Sequence, residues 1–134
     1  MFELKHILIP VDHSEGSRSA LAAGLHLANR YEAIPHWFHA VPTIPQAIRD
    51  VLFPYAAMGE DIVEFENELT AYGNRVSERF ADDVSSGNKK VPGRAVNGDP
   101  EDGIINEINR LGPDLLIMGA SGQRGPRANQ LGRT

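Results

Sequence analysis

Leu4-Lys-His-Ile-Leu-Ile-Pro-Val11, running straight into Asp12-His13-Ser14, is a short and nearly unbroken apolar run rich in branched side chains. A strand with one wet face alternates between apolar and polar residues. A nearly continuous run of this length is the pattern of a strand buried on both faces, as in a parallel sheet. Working outward, Ser14 is a residue type that caps helices, and Leu21, Leu25 and Ala28 recur at helical spacing in a helix predicted from about Glu15 to Tyr31.

His36 to Val41 reads as a second strand, after which Pro42 and Pro45 open a predicted loop through about Met58. From Gly59 to Val84 the residues Ile62, Phe65, Leu69, Tyr72, Val76 and Phe80 fall three or four apart, which predicts one long amphipathic helix. Glu60, Asp61, Glu64 and Glu66 in its first turns suit the positive end of the helix dipole and are assigned no chemistry. Ser85 to Lys90 is a polar loop. Val91 to Val96 is a weak strand whose Pro92 and Gly93 argue for a place at the sheet edge. A turn at Gly98-Asp99-Pro100 leads into a helix to about Leu111, with Ile104, Ile105, Ile108 and Leu111 on one face and Pro113 just past its end. Asp114 to Met118 is another buried strand. Strands alternating with helices predict an α/β fold: an open parallel sheet with helices on both faces, joined by right-handed crossovers. At 134 residues the chain reads as a single domain, 1–134.

The net charge of -5 offers no general attraction to nucleic acid or to an anionic membrane. Gly119 to Thr134, however, carries Arg124, Arg127 and Arg133 and no acid, a local cationic end suited to a small bound anion. With no cysteine there is no disulfide, thiolate metal site or cysteine nucleophile, and a reducing compartment, the cytoplasm, is expected. The N-terminus lacks the basic start and cleavage site of a signal peptide, and no apolar stretch approaches membrane-spanning length. His36 and His39, three apart in a strand, are expected on opposite faces, which argues against a zinc site.

Ligands of open parallel sheets bind beyond the carboxyl ends of the strands, where neighbouring connections leave to opposite faces. Two segments there look chemical. Asp12 offers a carboxylate to ribose hydroxyls, although Asp12 or Ser14 capping the next helix accounts for the same residues. The loop Gly119-Ala-Ser-Gly122-Gln-Arg-Gly125 offers backbone N–H groups that phosphate oxygens can approach closely. By composition alone a plain glycine-rich tail fits it equally well. It is neither a Walker loop, since no lysine follows the glycines, nor a Gly-x-Gly-x-x-Gly fingerprint. His13 and Ser14 sit side by side on a turn, an arrangement in which a base and a nucleophile rarely face each other, and no third member stands nearby.

KHILIPVDHSEGSRSAL near the start and NGDPEDGIINEINRLGPDLLIMGASGQRG near the end resemble the universal stress protein family. The nucleotide-binding branch of that family carries Gly, two residues, Gly, nine residues, Gly, then Ser or Thr, and Gly119, Gly122 and Gly132 have this spacing. Arg133 stands where the hydroxyl residue is usual, with Thr134 after it. The resemblance implies a Rossmann-like, adenine nucleotide alpha hydrolase-like sheet of order 3-2-1-4-5. It further implies an ATP or AMP site formed by Pro10, Val11, Asp12, Val41, Met118, Gly119, Gly122, Gly132, Arg133 and Thr134, with Mg²⁺ reaching it only through the phosphates. Relatives continue into a final helix and a fifth strand that commonly pairs subunits, so a domain lacking strand five, and a homodimer at full length, are expected. The implied role is a nucleotide-binding regulator of the stress response without catalytic residues. One alternative is the family's branch that binds no nucleotide and acts as an interaction module, which Arg133 favours and the three glycines oppose. The other is an ATP-hydrolysing enzyme of the wider superfamily, ranked lower because Val11-Asp12-His13-Ser14 lacks the phosphate-gripping glycines after strand one.

Overall fold

The computed structural model describes residues 3–52, 59–87 and 89–120. They form β1 (His6–Pro10), α1 (Glu15–Tyr31), β2 (Ile34–Val41), α2 (Gln46–Leu52), α3 (Gly59–Val84), β3 (Gly93–Asn97), α4 (Pro100–Leu111) and β4 (Leu115–Leu116). The strands make one parallel sheet of order β3-β2-β1-β4, with Pro10 opposite Phe38, Val41 opposite Asn97 and Leu8 opposite Leu116. This is the order expected for the first four strands. The β4 pairing continues one residue beyond the strand, where Ile117 N donates to Leu8 O at 3.0 Å.

Alternation along β1 explains why its sequence is apolar throughout. Ile7, Ile9 and Val11 point into the larger core with Trp37, Leu21, Ala28, Ala81 and Val91, beneath α1 and α3. Leu8 and Phe38, also fully buried, point to the other face. There Gly103 of α4 lies so close that a Cβ would sit 3.1 Å from Phe38 Cζ. Helices therefore cover both faces, and a strand between two apolar layers has no residue it can spare for water.

The edge position of β3 agrees with Pro92 and Gly93, and the glycine has a packing cause. A Cβ at Gly93 would lie 2.1 Å from the indole of Trp37, whose Nε1 donates to Val91 O at 3.2 Å. The glycine makes room for the largest fully buried side chain.

Four expectations are corrected. The buried strand expected over Asp114 to Met118 is the short, half-exposed β4, with Leu116 39% exposed. The predicted loop from Pro42 contains α2, tied to α3 by an Arg49–Glu66 ion pair of 2.9 Å. On α3 the buried positions are Gly73, Ser77 and Ala81, while Phe65 and Tyr72 of the predicted apolar stripe are exposed. Small residues are needed there because the helix rides close to the sheet: a Cβ at Gly73 would lie 2.7 Å from Val41 Cγ2. On α4, Ile105 is 56% exposed and the buried residue is Glu107, at 2%. Arg94 of β3 and Arg110 each hold its carboxylate through two nitrogens at 2.7–3.3 Å. The hydrogen bonds from Arg110, then Arg94, outweigh burial and depress its pKa to about 2.

Candidate functional site

The connection leaving β1 crosses the sheet on one face and the connection arriving at β4 crosses on the other, so the β1/β4 boundary is the topological switch point. The chain leaves these two strands at Asp12 and Gly119. Both segments meet the first turn of α1. Asp12 N lies 3.3 Å from Ser17 Oγ. A Cβ at Gly119 would fall 2.6 Å from the Gly16 carbonyl carbon and 2.9 Å from Ser17 N. Only a residue without a side chain fits against that backbone.

The turn itself is ordered by its own polar groups. Asp12 Oδ1 accepts from Ser14 N at 3.0 Å and from Ser14 Oγ. Ser14 caps α1 by accepting from Ser17 N at 3.2 Å, as its residue type predicted. The carboxylate thus shapes the turn, and the capping explanation for this pair accounts for the contacts of Asp12 and Ser14.

Between Asp12 and Ser14, His13 adopts a φ of +65°, an uncommon backbone state for a residue with a side chain. Its ring reaches α3, where Nε2 lies 2.8 Å from the oxygen of the fully buried Ser77. It also packs against His39, tilted by 37° at 4.3 Å between ring centroids, and meets Phe80 edge-on at 5.4 Å. His39 Nδ1 in turn donates to Val11 O at 2.8 Å. Burial first and His39 second lower the His13 pKa below 6.5, and Asp12 opposes them. His36 and His39 do diverge: His36 meets His6 (Nε2 to Nδ1, 3.1 Å) on the other face.

Of the remaining candidates, Val11 is buried and Pro10 half-buried, with Val11 N donating to Phe38 O at 2.8 Å. Val41 is buried, its carbonyl accepts from Gly98 N at 2.9 Å and Asn97 Nδ2 at 3.3 Å, and its side chain packs under Gly73 of α3. Met118 is 53% exposed at the end of β4. Gly122, Gly132, Arg133 and Thr134 lie outside the described residues. Sequence reasoning missed Ser77 and the His13–His39 pair. The four-residue spacing of Gly73, Ser77 and Ala81 was the available signal for the buried side of α3.

At the opposite, amino-terminal end of the sheet lies a cleft of about 690 Å³ lined by Leu25, Ala33, Ile34, Val84 and Val91, with Lys89 and Lys90 also on its wall. It is far from the switch point and mainly hydrocarbon in its lining, so the carboxyl-end site is the better candidate. Among the described residues no group of three or more His, Asp or Glu is placed to hold a metal ion, and no helix is long and apolar enough to cross a membrane.

Comparison with known proteins agrees with this fold. Universal stress protein YxiE of Bacillus subtilis (strain 168) is 27% identical over 130 residues, covering 94% of this chain and 85% of the relative. Among solved structures, universal stress protein UspA from Lactobacillus plantarum superposes with a TM-score of 0.67 at 19% identity, covering 98% of this chain and 91% of the other. A universal stress protein in complex with cAMP gives 0.57 at 19% identity, over 98% and 84%. An Arabidopsis thaliana universal stress protein family protein with AMP bound gives 0.51 at 19% identity, over 92% and 81%. At these identities the structural matches speak to the fold. The family model described as the Universal stress protein family matches residues 3–134, and the chain belongs to that family.

Proposed function

We propose that the carboxyl ends of β1, β2 and β4 bind an adenine nucleotide, ATP or AMP, and that the protein acts as a nucleotide-responsive regulator rather than an enzyme. The observation that carries this reading is the convergence of Asp12 and Gly119 on the first turn of α1, at the switch point. A carboxylate there suits ribose hydroxyls, and a glycine segment pressed against a helix N-terminus suits phosphate, because the N–H groups of that turn point outward with the positive end of the helix dipole. The cAMP and AMP held by two proteins of the same fold support adenine as the base. Mg²⁺ would enter with the phosphates, and a homodimer is the expected assembly of the full-length family fold.

Calorimetry with ATP, AMP and GTP tests the proposal. Adenine nucleotides binding more tightly than GTP is the expected result. Equal affinity for ATP and GTP would remove the adenine assignment, and rapid release of AMP and pyrophosphate from ATP would replace the regulator with an enzyme.

A further inference from the structure

We infer that nucleotide binding at the end of β1 is linked to proton uptake by His13, whose ring is held between His39 and Ser77. The inference rests on the nucleotide reading given above and adds a regulatory input to it.

The geometry sets the chemistry of the pair. The Val11 carbonyl can only accept, so His39 Nδ1 carries a proton and donates to it. The two rings lie 4.3 Å apart with an interplanar angle of 37°. At that separation the His39 ring opposes a charge on His13. His13 is held in its left-handed backbone state by Ser77, His39 and Phe80 together, so the ring stays beside the Asp12 turn.

The surrounding charges give the direction. From the β1–α1 turn comes Asp12, and from β2 comes His39 itself. α3 presents Ser77 and Phe80, both uncharged. Beyond Phe80, Arg18 of α1 lies 5.4 Å from the ring centroid and is paired with Asp83 of α3, a couple of little net charge. Desolvation first and His39 second make His13 harder to protonate than an ordinary imidazole in the free protein. A phosphate brought against this turn adds negative charge and favours a protonated His13. Binding that raises the proton affinity of His13 must itself strengthen as pH falls, by at most about tenfold per pH unit for one proton.

The test is calorimetry with AMP between pH 8 and pH 6 on the wild-type protein, His13→Asn and His39→Asn, in buffers of different ionisation heat. The phosphate of AMP also titrates in this range, but equally for all three proteins, so the difference between them isolates the pair. Asparagine tolerates positive φ at position 13, and at position 39 its amide can replace Nδ1–H toward Val11. The expected result is a wild-type affinity that rises about three- to tenfold more than that of either variant over this interval, with net proton uptake larger in the wild type than in either variant. Identical pH dependence in all three proteins would overturn the linkage and leave the nucleotide site standing. No AMP binding by the wild type at either pH would overturn both. If one variant fails to fold, the other decides.

Discussion

Gly119 lies against Gly16 so closely that a single added carbon at Gly119 would fall 2.6 Å from the Gly16 carbonyl carbon. The contact is backbone against backbone, so no rotamer change relieves it. It seats the segment leaving β4 on the first turn of α1, beside the loop that leaves β1.

Gly119→Ala is therefore expected to push that segment off α1. Overpacking against backbone costs about 1 to 3 kcal/mol, visible as a lower urea midpoint. On the proposed nucleotide reading, affinity should fall further than stability does, because Gly119 itself would be displaced from the N-terminus of α1. A variant with unchanged midpoint and unchanged ATP affinity would show that the segment finds another seat.

Asp12→Asn separates the two roles of this side chain. The amide oxygen still accepts from Ser14, so the melting temperature should move little. The charge is lost, and nucleotide affinity should drop by about 1 to 3 kcal/mol, the range for a hydrogen bond to a charged group. If melting shifts while affinity stays constant in calorimetry, the residue serves the turn alone.

Glu107 makes the scaffold acid-sensitive. Its pKa is held at about 2 against an ordinary 4.5, chiefly by Arg110 and then by Arg94. A group depressed in the folded state contributes fully above its unfolded pKa. That contribution is lost as pH falls from 4.5 through about 2. Because both arginines are half-exposed, with side chains at 45% and 53%, the net contribution is set at about 2 kcal/mol, below the full conversion of the shift. Denaturant titrations of wild type and Glu107→Gln should differ at pH 7 and converge toward pH 2. A constant gap across that range would remove the ion cluster as the cause.

Gly93→Ala places a methyl where the Trp37 ring now lies, 2.1 Å from Cδ2. Trp37 is 1% exposed and bonded through Nε1 to Val91 O, so the ring has nowhere to go without breaking that bond. A loss of about 2 to 3 kcal/mol and a red-shifted tryptophan emission are expected. An unshifted emission with wild-type stability would show that β3 yields instead of the ring.

The alternation of strands and helices, the order in which they run and the burial of β1 on both faces were legible in the sequence. These follow from local periodicity: backbone geometry forces a repeat of two or 3.6 residues on any segment that hides one side. The limits of α3, Gly59–Val84, and of α4, to Leu111, were read correctly for that reason. The same periodicity found the inner faces of α3 and α4 but missed their most buried positions and included Phe65, Tyr72 and Ile105, which are exposed. Large apolar residues mark a hidden face only when there is room for them, and α3 rides so close to Val41 that Gly73, Ser77 and Ala81 must lie beneath it. Glu107 is buried because Arg94, thirteen residues earlier on β3, supplies a guanidinium that no pattern within α4 announces. The contact of His13 with Ser77 spans 64 residues, and that of Lys5 N with Asp114 Oδ2 spans 109. A hydrogen bond stabilises whichever groups the folded chain brings within reach, and at such separations only the packing of the sheet and its helices selects them.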